Sequence, residues 1–424
     1  MLRKYRAYLM VLRIIIAYKW ASFGVRFYSH ERGRLYMERL HRRNAKRICK
    51  SFMQLKGLYI KLGQLISILA TALPHAFRDE LTILQDKITP TSYEIMKKRL
   101  KSEWGVSPSE ILESIDKKPI AAASIGQVHR AVLKNGDEVV VKIQYPGLEK
   151  ILAQDLKAFK GIVSLISIFF PDAELKRIYE EIKNLLLEEI DFTIEAGNMV
   201  RFRENFTHYH GITAPRLYEE FSTQRVLVSE FINGVKINDL EGLKEIGTDG
   251  ETISTLLIES FAHQLFDHGF YHADPHPGNL LVRKGPEIVF IDFGAACEIS
   301  ESTREGMVEF VQAGVRKDTP GLIRAMRKMG FIAIEADPRV YDRVVAFFHD
   351  RFHQEIGLEN LQLGKIKFSI KEGMEHLAHL KRMDITLKDI GRTFHIPREW
   401  VLLERTFLLL MGIVTEAAPN LDIY

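Results

Sequence analysis

The chain has 424 residues, enough for two or three domains with cores of their own and too many for a short peptide-like scaffold. It is 46% hydrophobic, 27% charged and 10% aromatic, which excludes a disordered chain and a multi-span membrane protein. The net charge of +4 conceals an asymmetry, because residues 1–50 hold 14 Lys or Arg against only Glu31 and Glu38, a local +12 that leaves −8 for the other 374.

In that first segment Ile14, Ile15, Ile16, Trp20, Phe23 and Phe27 are interleaved with Arg13, Lys19 and Arg26. Residues 1–50 are therefore expected to form a basic amphipathic segment suited to anionic lipid rather than to nucleic acid. A solvated basic helix packed on the body is the plainer alternative. A spanning helix needs about 20 apolar residues. Arg13 and Lys19 interrupt the first apolar stretch, Ile162–Phe170 is short, and Glu404 with Arg405 divides the last, so no span is expected. There is no uninterrupted signal-peptide core, and Cys49 and Cys297 are too few for a disulfide framework or a thiolate zinc site. The expected location is cytoplasmic, peripheral at the inner face of a membrane.

From about 35 to 88 the residues read as helices, with Leu58, Leu62, Leu65, Ile66 and Leu69 at helical spacing. Pro90, Pro108 and Pro119 mark a boundary region. Residues 120–133 and 138–145 are β-rich runs joined through Asn135-Gly136, a hairpin signal in which both turn positions are expected to need positive φ. A helical pattern follows from Ala173 to about Glu204, then a strand over Arg225–Phe231. Thr252–His268 reads as a helix with Asp249 near its start and Gly269 past its end. It leads into the loop at 271–279, the run Leu280–Val282, a turn, and a strand over Ile288–Asp292; from Ser300 the pattern is helical. The fold class is α+β, with the strands in the middle of the chain.

The improbable residues cluster in HADPHPGN (272–279) and IDFG (291–294). Asp274, Asn279 and Asp292 are oxygen donors beside short strands, a set that suits Mg²⁺ sharing phosphate oxygens with a nucleotide. Two rivals stand beside this reading: a zinc site using His272, Asp274 and His276, and a structured turn shaped by Pro275, Pro277 and Gly278. Lys142 sits in an apolar strand run and follows the loop Ala121-Ala122-Ala123-Ser124-Ile125-Gly126, whose backbone N–H groups could approach a phosphate. Its plain reading is a solvent-facing strand lysine. Its functional reading is an ammonium that neutralises phosphate oxygens, held by a helix carboxylate for which Glu195 is the candidate. Asn279 lies five residues after Asp274, and Asp292 opens Asp-Phe-Gly; both match the protein-kinase pattern of catalytic loop and metal-binding aspartate. The departures are His272-Ala273-Asp274 in place of HRD and an alanine loop in place of a glycine-rich one.

With YIKLGQ (59–64), AAASIGQVHRA, VVVKIQYPG and EIDFTIEAGN, these segments resemble the UbiB-type atypical kinases, the ubiquinone-biosynthesis kinase-like AarF/UbiB family, over about residues 50–300. The resemblance implies a bilobal protein-kinase-like fold with a helical N-terminal extension: residues 51–118 as the extension with its KxGQ element, 119–232 as an N-lobe and 233–424 as a mainly helical C-lobe. It implies that Lys142 pairs with Glu195 and contacts the α/β-phosphates, that Asp274 is the catalytic aspartate, and that Asn279 and Asp292 bind the metal. The backbone of Glu230 and Ile232 would hold adenine. Lys61 and Gln64 of KxGQ would lie over the active site opposite the triplet Glu189, Ile190 and Asp191.

The implied function is ATP-Mg-dependent phosphoryl transfer or hydrolysis, with ATP and ADP as ligands, in isoprenoid-quinone biosynthesis rather than on general protein substrates. Isoprenoid or anionic lipid and lipid-biosynthetic proteins are the partners implied. A nucleotide-sensing pseudokinase scaffold is the alternative. Many bacterial members end in a hydrophobic hairpin; this chain ends in Asn420-Leu421-Asp422-Ile423-Tyr424, so membrane contact is expected from the basic N-terminal segment.

Overall fold

A computed structural model describes residues 2–55, 59, 62–63, 75–82, 90–169, 175–355, 386–395, 397–419 and 421. It divides into two compact units, Met1–Gly197 with Arg216–Phe231, and Asn198–Pro215 with Ile232–Tyr424.

The first unit opens with two long helices, α1 (Leu2–Gly24) and α2 (His30–Leu55). Ala7, Val11 and Ile15 recur every four residues and are buried on one face of α1, while Tyr5, Leu9, Leu12, Ile16, Trp20 and Phe23 remain exposed on another. The expectation that Arg13 and Lys19 break this stretch is corrected. Helix α1 is unbroken, and Tyr5–Gly24 is long and apolar enough to cross a membrane by length and composition. Two cations six positions apart still leave a continuous apolar surface, since long basic side chains can bend their charges away. A short α3 (His75–Thr82) follows, then α4 (Tyr93–Trp104) and the single turn α5 (Pro108–Ile111). Of the 35–88 stretch, Leu58, Leu65, Ile66 and Leu69 lie outside the described residues.

Strands β1 (Leu112–Ile115), β2 (Ala121–Ala122), β3 (Gly126–Leu133) and β4 (Glu138–Gln144) come next, with β6 (Val226–Glu230) later in the chain. They form an antiparallel sheet in the order β1-β3-β4-β6, with β2 pairing to β3. Alternation in β4 sends Val139, Val141 and Ile143 into a core completed by Met96 and Leu100 of α4 and Val226 and Val228 of β6. At the Asn135-Gly136 turn only Gly136 adopts positive φ, at 90°; Asn135 instead accepts the Asp137 N–H through its side chain, so the connection is looser than a two-residue hairpin. The expected strand over 120–133 is interrupted at Ala123–Ile125. The expected helix over 173–204 is two helices, α7 (Leu175–Glu189) and α8 (Phe192–Asn205), with α6 (Leu148–Phe169) before them. The break falls at Ile190 and Asp191, where the Asp191 carboxylate accepts the N–H and hydroxyl of Thr193 and starts α8.

The second unit takes up the chain within α8 at Asn198. Residues 198–215 belong to this unit because β5 (Ile212–Thr213) pairs in parallel with β10 (Glu287–Phe290). With β7 (Val235–Lys236) and β9 (Leu280–Arg283) they make a sheet in the order β5-β10-β9-β7. After α9 (Leu240–Glu245), α10 (Gly250–Ala262) is capped by Asp249, whose carboxylate accepts the Thr252 N–H at 2.8 Å. It ends earlier than expected, in a widened turn over His263–Asp267, and the chain reverses at Gly269 (φ 60°). Strand β8 (Phe270–His272) then pairs antiparallel with β11 (Ala296–Glu298). Helices α11 (Glu301–Val315), α12 (Thr319–Lys328), α13 (Pro338–Glu355), α14 (Leu387–Thr393) and α15 (Arg398–Ala417) complete the described chain. Leu403 of α15 packs with Tyr271, Ala273 and Met307 in the core behind the 271–279 loop.

Candidate functional site

In the first unit the site is built on β4 and the first turn of α8. Strand alternation that buries Val141 and Ile143 turns Lys142 to the opposite face, where its Nζ lies 2.7 Å from both Oε1 and Oε2 of Glu195. The lysine side chain is 17% exposed and the glutamate 7%, so this is a largely desolvated pair rather than a surface contact. The Phe192 ring, one helical turn before Glu195, lies 5.3 Å from the ammonium and adds an aromatic face to its surroundings. Glu195 gains further from its place in the first turn of α8, where unpaired N–H groups favour negative charge.

The alanine loop is a tight reversal between β2 and β3. The Ala123 N–H is bound within the loop by the Gly126 carbonyl, and the Ile125 carbonyl accepts the Tyr145 N–H. Ser124 and Ile125 are buried. Gly126 is needed for close approach: a Cβ there would meet the Ile143 carbonyl oxygen at 2.4 Å. Glu230 closes β6 opposite Val139 and takes the Arg216 N–H on its carboxylate. Ile232, two residues on, is buried and opens the second unit's share of the chain. Glu189 ends α7, the Ile190 carbonyl accepts Gln144 Nε2 at 2.6 Å, and Asp191 also accepts Gln224. Although burial opposes it, hydrogen bonds from Thr193 and Gln224 hold the Asp191 carboxyl below the usual range. Lys61 and Gln64 lie outside the described residues.

In the second unit the 272–279 loop and the 291–294 segment are laced together. The side-chain N–H of Asn279 donates to the Asp274 carbonyl at 3.1 Å, while the Asn279 carbonyl accepts the Ile291 N–H at 3.0 Å. The Ala273 N–H binds the Ala295 carbonyl at 2.9 Å. Asp292 accepts the Gly294 N–H at 3.0 Å, and the Phe293 carbonyl accepts Asn198 at 3.2 Å. So Asp274, Asn279 and Asp292 belong to one interlocked pair of loops. With its side-chain nitrogen donating to Asp274, Asn279 can offer its side-chain oxygen and Asp292 its carboxylate. That all-oxygen donor set fits a hard cation such as Mg²⁺.

The zinc alternative does not fit. His272 is wholly buried, its Nε2 is hydrogen-bonded to the Asp292 carbonyl, and burial pushes its imidazole towards the neutral form. His276 uses Nδ1 to accept the Gly278 N–H at 3.1 Å. Among the described residues no group of three His, Cys, Asp or Glu could hold a metal.

Three contacts went unread in the sequence. Arg405 reaches Asp274 Oδ1 at 3.0 Å from α15, Gln264 accepts the His272 N–H at 2.8 Å, and Asn198 binds Phe293. For Arg405 the signal was present, since a charge interrupts an otherwise apolar helix.

The family model described as the ABC1 atypical kinase-like domain matches residues 83–326, more than half of the chain. The chain belongs to the ABC1 atypical kinase-like family. Among ABC1 relatives, the Arabidopsis thaliana chloroplastic protein named Activity of bc1 complex kinase 8 is 32% identical over 93% of this chain and 55% of its own length. The Dictyostelium discoideum protein named probable serine/threonine-protein kinase abkD is 35% identical over 71% of this chain and 44% of its own. The chain thus spans about half the length of these curated ABC1 relatives. A solved Mycobacterium tuberculosis structure, Rv3197 in complex with erythromycin, aligns with a TM-score of 0.56 and 26% identity over 86% of this chain and 89% of that one. The ABC1 assignment agrees with the AarF/UbiB resemblance, and the fold is α+β and kinase-like.

Proposed function

We propose that the chain is an ATP-using enzyme of the UbiB type, cleaving the γ-phosphate of Mg-ATP with water or a small-molecule hydroxyl as acceptor, in isoprenoid-quinone lipid metabolism. The observation that carries this reading is the desolvated Lys142–Glu195 pair, 2.7 Å on both oxygens. Holding two charges out of water is costly unless a further partner uses them, and a nucleotide's phosphates are that partner in a kinase-like chain. In this reading Lys142 binds the α/β-phosphates, oriented by Glu195, and the backbone at Glu230 and Ile232 receives adenine. Asn279 and Asp292 would hold Mg²⁺, which when bound supplies neutralisation of phosphate charge. Asp274 orients the attacking hydroxyl or water and takes its proton, so that rate comes from positioning and electrostatics.

An alanine loop whose Ala123 amide is already bound internally offers the phosphates less backbone than a glycine-rich loop. That supports a nucleotide pose unlike that of protein kinases, although some relatives carry the name of probable serine/threonine-protein kinase. A lipid acceptor or effector is supported by the exposed apolar face of α1. We place the chain peripherally at a membrane on the same grounds.

The test pairs a thermal-shift titration with single-turnover hydrolysis. Mg-ATP should stabilise the parent, by about 2.7 kcal/mol at a hundredfold excess over Kd. Asp292→Asn should lose the metal-dependent part of that gain, and Asp274→Asn should keep it while turnover drops on the order of 10²-fold or more. If both variants hydrolyse ATP like the parent, the site assignment fails; stabilisation without product would favour a nucleotide-sensing scaffold. Stoichiometric phosphorylation of a generic protein would contradict the choice of acceptor.

A further inference from the structure

We propose that Arg405, on α15, is a positioning residue for Asp274. It supplies from 131 positions downstream the cation that the catalytic loop itself lacks, where Ala273 stands in place of the arginine of HRD. The proposal rests on the reading of Asp274 given above and deepens it.

Helix α15 is apolar along most of its length, and Leu403, Thr406, Leu410 and Ile413 form its buried face. Two successive residues of this helix grip two successive residues of the loop. Arg405 donates to Asp274 Oδ1 at 3.0 Å, and the Thr406 hydroxyl, itself buried, lies within hydrogen-bond reach of the Ala273 carbonyl at 3.1 Å and of its own helix's Leu402 carbonyl at 2.9 Å. Leu403 adds apolar contact with the same loop. From the other side the Asp274 carbonyl receives the Asn279 side chain at 3.1 Å and the His276 N–H at 2.7 Å. Among the described residues Oδ2 of Asp274 accepts no hydrogen bond. One carboxylate oxygen is thus fixed by a guanidinium and the other left for the nucleophile, which is what orientation of an incoming hydroxyl requires.

The rival reading is an ordinary ion pair that ties the helix to a loop. The side chains are 41% and 30% exposed, however, and pairs of that exposure contribute little to folding. A charge kept in an apolar helix for so small a gain is better accounted for by its effect on Asp274. A second rival, in which Arg405 blocks the carboxylate, is disfavoured by the open Oδ2.

The experiment uses the full chain as Arg405→Ala, Arg405→Lys and Arg405→Gln, alone and combined with Asp274→Asn, with single-turnover ATP cleavage and Mg-ATP thermal shift as readouts. Arg405→Ala should slow cleavage on the order of 10- to 100-fold while leaving the nucleotide-induced shift in melting temperature unchanged. Arg405→Lys, or free guanidinium added to Arg405→Ala, should restore part of the rate. In the Asp274→Asn background, loss of Arg405 should slow cleavage no further. Arg405→Gln keeps most of the side-chain stem, so it carries the measurement if Arg405→Ala melts below the assay temperature. Parent-like or faster rates, or a full additional loss on top of Asp274→Asn, would overturn the positioning role. A parent that cleaves no ATP, or one indifferent to Asp274→Asn, would overturn the reading of the site and this proposal with it.

Discussion

A Cβ at residue 126 would have to share space with the Ile143 carbonyl, so Gly126→Ala must push β3 from β4 or strain the loop. The expected loss is about 1–3 kcal/mol in urea unfolding. His129 makes a second residue-scale prediction. It is wholly buried in β3, faces the Tyr93 ring, donates from Nδ1 to the Asp116 carbonyl and accepts Gln127 on Nε2, so only the neutral imidazole satisfies both partners. Burial accordingly lowers its pKa below the ordinary 6.5. The unfolded chain therefore takes up the proton first as pH falls, and stability drops from about pH 6.5 downward towards the folded-state pKa. Urea midpoints measured between pH 7.5 and 5 should fall more steeply for the parent than for His129→Asn; equal slopes would refute the assignment. Lys142, Glu195, Asp274, Asn279 and Asp292 were all legible as candidates: Lys142 as a charge within an apolar strand run, Glu195 as a helix carboxylate able to face it, and the other three as oxygen donors in the HADPHPGN and IDFG segments. Glu195 could be named as a candidate partner of Lys142 from the residues alone, but with the two 53 positions apart only the family resemblance implied that they pair.

At the scale of elements, the sequence marked strands and helices where apolar period and caps agreed, as at Asp249 and along β4. It failed where a side chain ended an element that the apolar pattern continued. Asp191 divides α7 from α8 by capping, and the Ala-rich run breaks at Ala123–Ile125 because the chain must turn back onto β3. For Arg405 the charge within an apolar helix was visible, but its target was not, because no short-range pattern couples position 405 to position 274. Helix α15 is also held against the start of α10, where a Cβ on Gly250 would meet the Ala417 carbonyl at 2.1 Å. Gly250→Ala should displace the end of α15, lower the melting temperature by an amount corresponding to about 1–3 kcal/mol, and slow ATP cleavage through the shift of Arg405. A variant that melts early but cleaves ATP at the parent rate would separate the two effects and argue against transmission along the helix.

At the scale of the whole molecule, the charge asymmetry of the sequence coincides with a feature that composition alone did not resolve. Exposed Tyr5, Leu9, Leu12, Ile16, Trp20 (75% exposed) and Phe23 run along α1 at helical spacing, continuing to Phe27 (76%). Deleting residues 1–30 should abolish co-sedimentation with anionic vesicles while leaving Mg-ATP-induced stabilisation intact; undiminished sedimentation would remove the membrane role of this segment. The Lys142–Glu195 pair bears on how such a protein is governed. Ordinary switching by swinging the glutamate-bearing helix would mean tearing apart two mostly dehydrated charges, at about 3–5 kcal/mol, more than a modest effector binding event supplies. A chain built this way has no inexpensive off position at its lysine. On the proposed reading, control would fall at substrate supply, product departure or the neighbourhood of Asp274, and an effector would be expected to alter turnover without separating Lys142 from Glu195.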